Sequence, residues 1–484
     1  MSDKVQDRRE AGLLEARKIY GKEAEEALRA HLSMIGQELY LWMADLYIPR
    51  KCICNNFDSE GNSVCLLKKD EDGNPLCYGG GYYFSNSARD YDIFKIDIES
   101  TVQALNFLQT VGMLRGYDND YTKAFPRQMQ LDVCAFAKSL QDSEDGYFYH
   151  PQWGKNIIPS RQGRDLSWAT SILKSFGDMP LYDTKNGHKG SLGAPSGVAN
   201  AKNGSSTWIS HLQTLEAFKE YLLSFDLKNK SYSSCNDINA QSGQFAARDK
   251  EGLEKGEFTN VRPDGYAVGG FIEALETIFN KQQNVQNGLW EDEIHYNAVN
   301  GLMKISSAYN AMGLKFNYAE QAFASAVKMA LLSVDIPDVK GKVTSGAVDV
   351  YNPWVAMYSL IHNVKKFGTE DELSNLQKML SDNVVDLIKA TTEKTRKFKK
   401  PDGSFGYTWI LPDTPVENPT TFRVSQRAPV AYNGLIEGDI NGGSIATRGI
   451  FTNMVLALGL DLPMFSDEDF KIYIERIKKN CGYK

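Results

Sequence analysis

The strongest constraint on this chain is an alternation in how its helical segments end. Apolar residues recur at helical spacing along most of the sequence, and the segments stop in two different ways. One class closes on a glycine after a Leu-, Phe- or Met-rich turn: residues 97–112, 164–177, 294–313, 352–368 and 445–459. Glycine adopts the left-handed conformation that ends a helix, so each is a plausible stop. The other class runs into a polar turn followed by aromatics, as at 141–148, 286–290 and 401–407. A first helix over 25–47 reaches a similar aromatic stretch at 79–84, and helices over 208–225 and 319–333 fill two further places in the second class.

The two classes alternate. Eleven helices are legible, where six hairpins need twelve, and the missing partner is expected within 231–264. The Gly/Ser/Asn-rich pieces 187–206 and 231–260 read as excursions over one rim. A helix pair cannot bury its apolar face alone, and closing the array removes exposed ends. The expected fold is therefore all-α, a closed (α/α)6-type toroid over residues 25–484 preceded by a helical extension over 1–24. An open solenoid, the alternative, would show a more even repeat and no large insertions.

Within 51–84 the sequence reads as a small β-meander carrying Cys52, Cys54, Cys65 and Cys77, with turns at 59–62 and 71–74. Four converging thiolates could hold a structural zinc. The C-x-C spacing, unlike the C-x2-C knuckle, favours reduced cysteines on a hairpin. No other cofactor is required. An odd total of seven cysteines fits a reducing compartment better than a disulfide framework.

A net charge of −7 and the lack of a basic, aromatic-interleaved run argue against a nucleic-acid partner. No apolar run is long enough to cross a bilayer, so no membrane partner is expected. The charged start of the chain lacks a signal-peptide core, which implies a cytoplasmic protein, or a secreted one whose leader has been removed. Phosphate-binding glycine loops, G-x-S-x-G elbows and H-E-x-x-H helices are also missing.

In a closed ring the starts of the glycine-ended helices surround one mouth, and those starts are polar. They offer Arg89 and Asp97; His150, Trp153, Arg164, Asp165 and Trp168; Trp290, Glu293, His295, Tyr296 and Asn297; Trp354; and Asp402 and Asp439. Taken singly, each has a structural explanation as a helix cap, an ion pair or core. Their recurrence at one position suits a sugar, with aromatic faces stacking on rings and polar groups binding hydroxyls or acid groups. A histidine beside a tyrosine can move protons. An arginine or asparagine can neutralise a uronate carboxylate. This nominates His295, Tyr296, Arg164, Asp165 and Glu293 as catalytic for β-elimination from an oligo- or polysaccharide, the remaining residues binding substrate. Hydrolysis by two carboxylates among Glu293, Asp97, Asp165, Asp402 and Asp439 is the alternative within carbohydrate chemistry.

The Asp-Gly-aromatic turns resemble those of the α/α-toroid superfamily, which includes polysaccharide lyases, toroidal glycosidases and terpene cyclases with protein prenyltransferases. The likeness spans about 25–459 but rests on a loose motif. It implies the toroid fold and, for a lyase, an Asn/His/Tyr/Arg set that His295, Tyr296, Asn297 and Arg164 match in type. The 141–148 turn with Trp153 resembles those of terpene cyclases, yet Asp90-Tyr91-Asp92 is followed by Ile93 and lacks the protonating acid motif. A non-catalytic glycan- or protein-binding ring would keep the aromatics without paired acid and base groups.

Overall fold

The computed structural model describes residues 3–52, 77–90, 94–150, 153–199, 208–344, 346–408 and 437–483. The fold is predominantly helical. In chain order the first helices are α1 (Asp3–Tyr20), α2 (Lys22–Leu32), α3 (Gln37–Ala44), α4 (Asn86–Arg89), α5 (Ile98–Thr110), α6 (Tyr121–Ala124) and α7 (Arg127–Ser139). Next come α8 (Pro159–Ser175), α9 (Ser196–Ala199), α10 (Leu215–Leu223), α11 (Ser231–Glu254), α12 (Phe271–Gln282) and α13 (Tyr296–Met312). The last are α14 (Ala319–Leu331), α15 (Val348–Phe367), α16 (Glu370–Phe398), α17 (Ile440–Ser444), α18 (Asn453–Ala457) and α19 (Asp467–Cys481). A π-helical stretch, Ile445–Thr452, joins α17 to α18.

Glycine stops end these helices much as their sequence implies. Gly313 closes α13 in the left-handed region at φ 73°, and Gly177 and Gly459 follow their helices at φ 68°. Gly368 differs: at φ −92° it is extended, and Thr369 opens α16 at once with a capping box to Glu372. The helix expected over 25–47 breaks after Leu32, before Gln37 starts α3.

The largest correction concerns residues 231–260. Residues 231–254 form α11, a 24-residue helix, which is where the sequence called for one further helix, and are no rim excursion. Small residues make sense there because the neighbours come very close. A Cβ at Gly163 of α8 would lie 2.4 Å from the Ala240 carbonyl oxygen, and one at Gly301 of α13 would lie 2.8 Å from Ser231 Oγ. Low apolar content hid the helix, yet tight backbone packing is what requires that composition.

Long helices pack in an order that returns to its start. α5 lies against α8, α8 against α11, α11 against α13, α13 against α15, and α15 against the π stretch and α18, while α17 lies against α5. The contacts join early turns to early turns. Glu99 of α5 meets Arg161 and Arg164 of α8. Asn300 of α13 meets Asp349 of α15, and Ser444 of α17 meets Gln103 of α5. These helices therefore run in one sense, with their N-termini gathered at one end. Other helices pack against these: α14 and α16 against α15, α12 against α11, and α7 against α8.

In the π stretch each wide turn shifts the carbonyl register, and side chains take up the freed groups. Thr447 Oγ1 donates to the Gly443 carbonyl, and Asn453 Nδ2 donates to those of Arg448 and Gly449.

Short strands frame the cysteine region. β1 (Tyr47–Ile48) pairs with β4 (Gly81–Tyr82), and β2 (Lys51–Cys52) with β3 (Cys77–Tyr78), in antiparallel register placing Cys52 opposite Cys77. Cys54 and Cys65 lie outside the described residues. No group of three or more His, Cys, Asp or Glu side chains able to hold a metal occurs among the described residues, and no described helix is long and apolar enough to cross a membrane.

Candidate functional site

α8 begins with Pro159, whose fixed φ suits a first helical position. Arg161, Arg164 and Asp165 follow at i, i+3 and i+4 and so share one face. That face meets Glu99, in the first turn of α5. Arg161 Nη1 donates to Glu99 Oε2 at 2.5 Å, and Arg164 Nη2 donates to Oε1 at 2.8 Å. Arg161 Nε also reaches Asp165 at 3.0 Å. Glu99 and Arg161 are both 2% exposed, so water screens this network very little.

Aromatic rings complete the setting. The Arg161 guanidinium lies 4.7 Å from the Trp153 ring and 5.7 Å from Trp168, and Arg164 lies 4.6 Å from Trp168. His150 stacks on Trp153 with centroids 4.1 Å apart. Burial, then the adjacent Arg161 charge, push the His150 pKa well down, so its imidazole is neutral. Burial opposes the charge on Arg161 too, but Asp165, Glu99 and Asp97 more than offset it.

Beyond this network lies a group of polar side chains that are neither fully buried nor exposed. Tyr232, Lys304 and Tyr407 are surrounded by protein yet keep some accessible surface. They come from α11, α13 and the 401–407 turn, and their electrostatic neighbours overlap. Tyr407 senses Tyr232, Asp349, Arg164 and Glu99. Tyr232 senses Arg164 and Asp349, and its hydroxyl lies against the Asn352 amide. Burial raises both phenols, so they are neutral proton donors. Burial and Arg164 lower Lys304 to about 8. Asn352 is fully buried, and neither its amide oxygen nor its nitrogen makes a hydrogen bond of ordinary geometry.

Carboxylates nearby are committed to structure. Asp97 caps α5, accepting from Ser100 N and Ser100 Oγ at 2.7 Å each, and Asp439 caps α17, accepting from Gly442 N and Tyr407 N at 2.7 Å each. Burial raises both to about 7. Asp349 accepts from Lys342 Nζ at 2.7 Å, Asn300 Nδ2 at 3.2 Å and the Gly346 amide at 3.2 Å.

Of the residues nominated from sequence, Arg164, Asp165, Asp97, His150, Trp153, Trp168 and Asp439 come together around α5, α8 and α17. His295 stands apart as the N-cap of α13. Its Nε2 contacts Glu291 Oε2 at 2.8 Å, and Glu291 also accepts from Ser231 N and Oγ. Burial resists ionisation of Glu291, but His295 and Ser231 hold its pKa below the usual value. Tyr296 is fully buried, its hydroxyl 2.7 Å from Thr344 Oγ1. Trp290 donates to the Phe279 carbonyl and Trp354 to Thr391 Oγ1, both deep in the core. Glu293 is exposed and pairs with Lys340, while Asn297 is exposed and accepts from Lys342. Asp402 is exposed in its turn and accepts from Ser404. Arg89 holds Asp90 and the Asp45 carbonyl beside a surface groove shared with Asn86 and Arg476.

Sequence reasoning missed Tyr232, Lys304 and Tyr407 as site residues. Only Lys304 carried a signal, a cation in the interior of an otherwise apolar helical segment. No family model, no curated protein and no solved structure matches this chain.

Proposed function

We propose that the cyclically packed helices form the inner ring of an (α/α)6 toroid, and that the polar group at their N-terminal ends is a carbohydrate site performing β-elimination at a uronic acid. One observation carries this reading: Arg164, Tyr232 and Tyr407, from separate parts of the chain, are electrostatic neighbours that keep some accessible surface, and the carboxylates described beside them are held by cap, arginine or lysine contacts. Elimination needs groups that neutralise the substrate carboxylate and a neutral acid for the departing oxygen. Arg164 supplies the first, with the Asn352 amide behind Tyr232, and the Tyr407 and Tyr232 phenols supply the second. Trp168, partly exposed beside Arg164, offers a face for the sugar ring.

Two-carboxylate hydrolysis fits less well. It needs one acid free to donate and one carboxylate free to attack or to activate water. Asp97, Asp165, Asp439 and Glu99 are all held by cap or arginine contacts, and Glu293 faces solvent.

The test is incubation with polygalacturonate, alginate and glucuronan. Elimination produces a double bond conjugated with the carboxylate, which absorbs in the ultraviolet, and Tyr407→Phe is expected to abolish it. New reducing ends without that absorbance would establish hydrolysis instead.

A further inference from the structure

Lys304 is the member of this polar group that the reading above leaves unused. It lies on α13 one turn beyond Asn300, and the contact between Asn300 and Asp349 fixes that turn's level in the ring. α13 is buried almost all round; only Asn297, Lys304, Ser307, Asn310 and Ala311 keep accessible surface. Lys304 thus emerges on a narrow polar stripe of a core helix. Its charge is felt by Arg164 of α8 and Glu99 of α5, so the stripe is on the side of α13 towards those helices.

Its ammonium takes no hydrogen bond and no ion pair among the described residues. Other enclosed cations are tied down: Arg161 by Glu99 and Asp165, Lys342 by Asp349, and Lys394 by the Met329 and Ala330 carbonyls. An unpaired amine enclosed by protein is costly to keep unless something uses it.

We propose that Lys304 is the general base that removes the proton next to the substrate carboxylate. This rests on the elimination reading. The neutral amine takes the C5 proton, and the C5–H electron pair becomes the C4–C5 double bond. The C4–O bond breaks, and the Tyr407 hydroxyl gives its proton to the leaving oxygen. The Lys304 ammonium then returns a proton to the Tyr407 phenolate through solvent, restoring both groups with no other reactant.

Neutral amine is available near physiological pH for a geometrical reason. Burial of the side chain among the helices favours the neutral form most, Arg164 of α8 adds to this, and Glu99 of α5 opposes it. Tyr232 of α11 and Asp349 of α15 lie nearer the N-terminal end. α14 turns Glu320 to Asn375 and Lys328 to solvent.

The experiment has two readouts on the whole protein, elimination from polygalacturonate by ultraviolet absorbance and deuterium incorporation at C5 from heavy water by NMR. Wild-type kcat is expected to rise with pH and level off above about 8. Lys304→Met and Lys304→Arg should each lower kcat and exchange by about 10²–10⁴-fold while KM and Tm change little. Exchange without elimination, lost in both variants, would support Lys304 and sink the elimination reading. Elimination retained in either variant would overturn Lys304 as base and leave that reading standing. A rate that falls with pH over the same range would make Lys304 a carboxylate clamp and overturn the proposal, as would a wild-type protein showing neither signal.

Discussion

Replacing Glu99 with glutamine removes one negative charge from a buried network and keeps its shape. Arg161 and Arg164 both donate to Glu99, and Asp165 is the other carboxylate that engages Arg161. In Glu99→Gln two guanidinium groups face that single carboxylate, with Arg161 at 2% exposure. Breaking a buried pair by neutralising one partner costs about 3–5 kcal/mol, because the remaining charge is left uncompensated. An unfolding entropy of about 2 cal/mol/K per residue gives about 1 kcal/mol/K for 484 residues melting together. The expected loss is therefore about 3–5 °C in Tm, read by calorimetry, and it should persist at high salt because the network is dry. Arg161→Met alone should cost a similar amount, and the double variant clearly less than the sum, since each substitution removes the charge the other strands. A shift below about 1 °C for Glu99→Gln, or strict additivity in the double variant, would refute this account of the network.

Gly163→Ala tests the contact between α8 and α11: its Cβ would meet the Ala240 carbonyl oxygen at 2.4 Å, so a loss of about 1–3 kcal/mol is expected, and unchanged Tm would show that the helices are not so close. Tyr296→Phe should lower stability by about 1 kcal/mol through the lost Thr344 hydrogen bond and leave uronate turnover intact; lost turnover at unchanged Tm would make Tyr296 catalytic. Burial raises Asp97 and Asp439 from 3.8 to about 7, so each adds stability as pH falls through 7, while burial lowers Lys394 to about 7 and Lys304 to about 8, which subtracts it. The Tm of wild type relative to Asp97→Asn should therefore rise as pH falls from about 8 to 6.5. Buried His31, whose pKa burial lowers to about 4, should lower the Tm of both proteins alike as pH falls from 6.5 towards 4, because the unfolded chain takes up its proton first. A wild-type Tm that falls relative to that of Asp97→Asn from pH 8 to 6.5 would contradict the carboxylate assignment.

Helix ends were the legible part of the sequence. Gly313, Gly177 and Gly459 mark real stops because a left-handed residue is a local requirement, satisfied whatever the helix packs against. Asp97 and Asp439 were legible as polar residues at helix starts for a similarly local reason, and both turn out to be caps. The helix over residues 231–254 was legible only as a gap in the count, because their composition answers to distant partners, the Ala240 carbonyl against Gly163 and Ser231 against Gly301. The tryptophans show the same limit. Trp153 and Trp168 flank arginines of the site while Trp290 and Trp354 fill the core, and nothing in their local sequence separates the two pairs.

A general consequence follows for helices buried on nearly every side. In a half-exposed helix the informative pattern is the apolar stripe, because most of the surface is water-facing and polar by default. α13 and α15 reverse this. α15 keeps accessible surface beyond its first residue only at Tyr351, Tyr358, His362 and its last turn, and α13 only at the few positions around Lys304. Apolar periodicity then carries little information, since almost every position is inside. What carries it is the polar minority recurring at three or four residues, because a buried helix tolerates a lysine only where space or a partner receives it. His295-Tyr296, conspicuous at the start of α13, satisfy one another's neighbours through Glu291, Thr344 and Asp338. Lys304, with no such neighbour, is where this helix still has chemistry to offer.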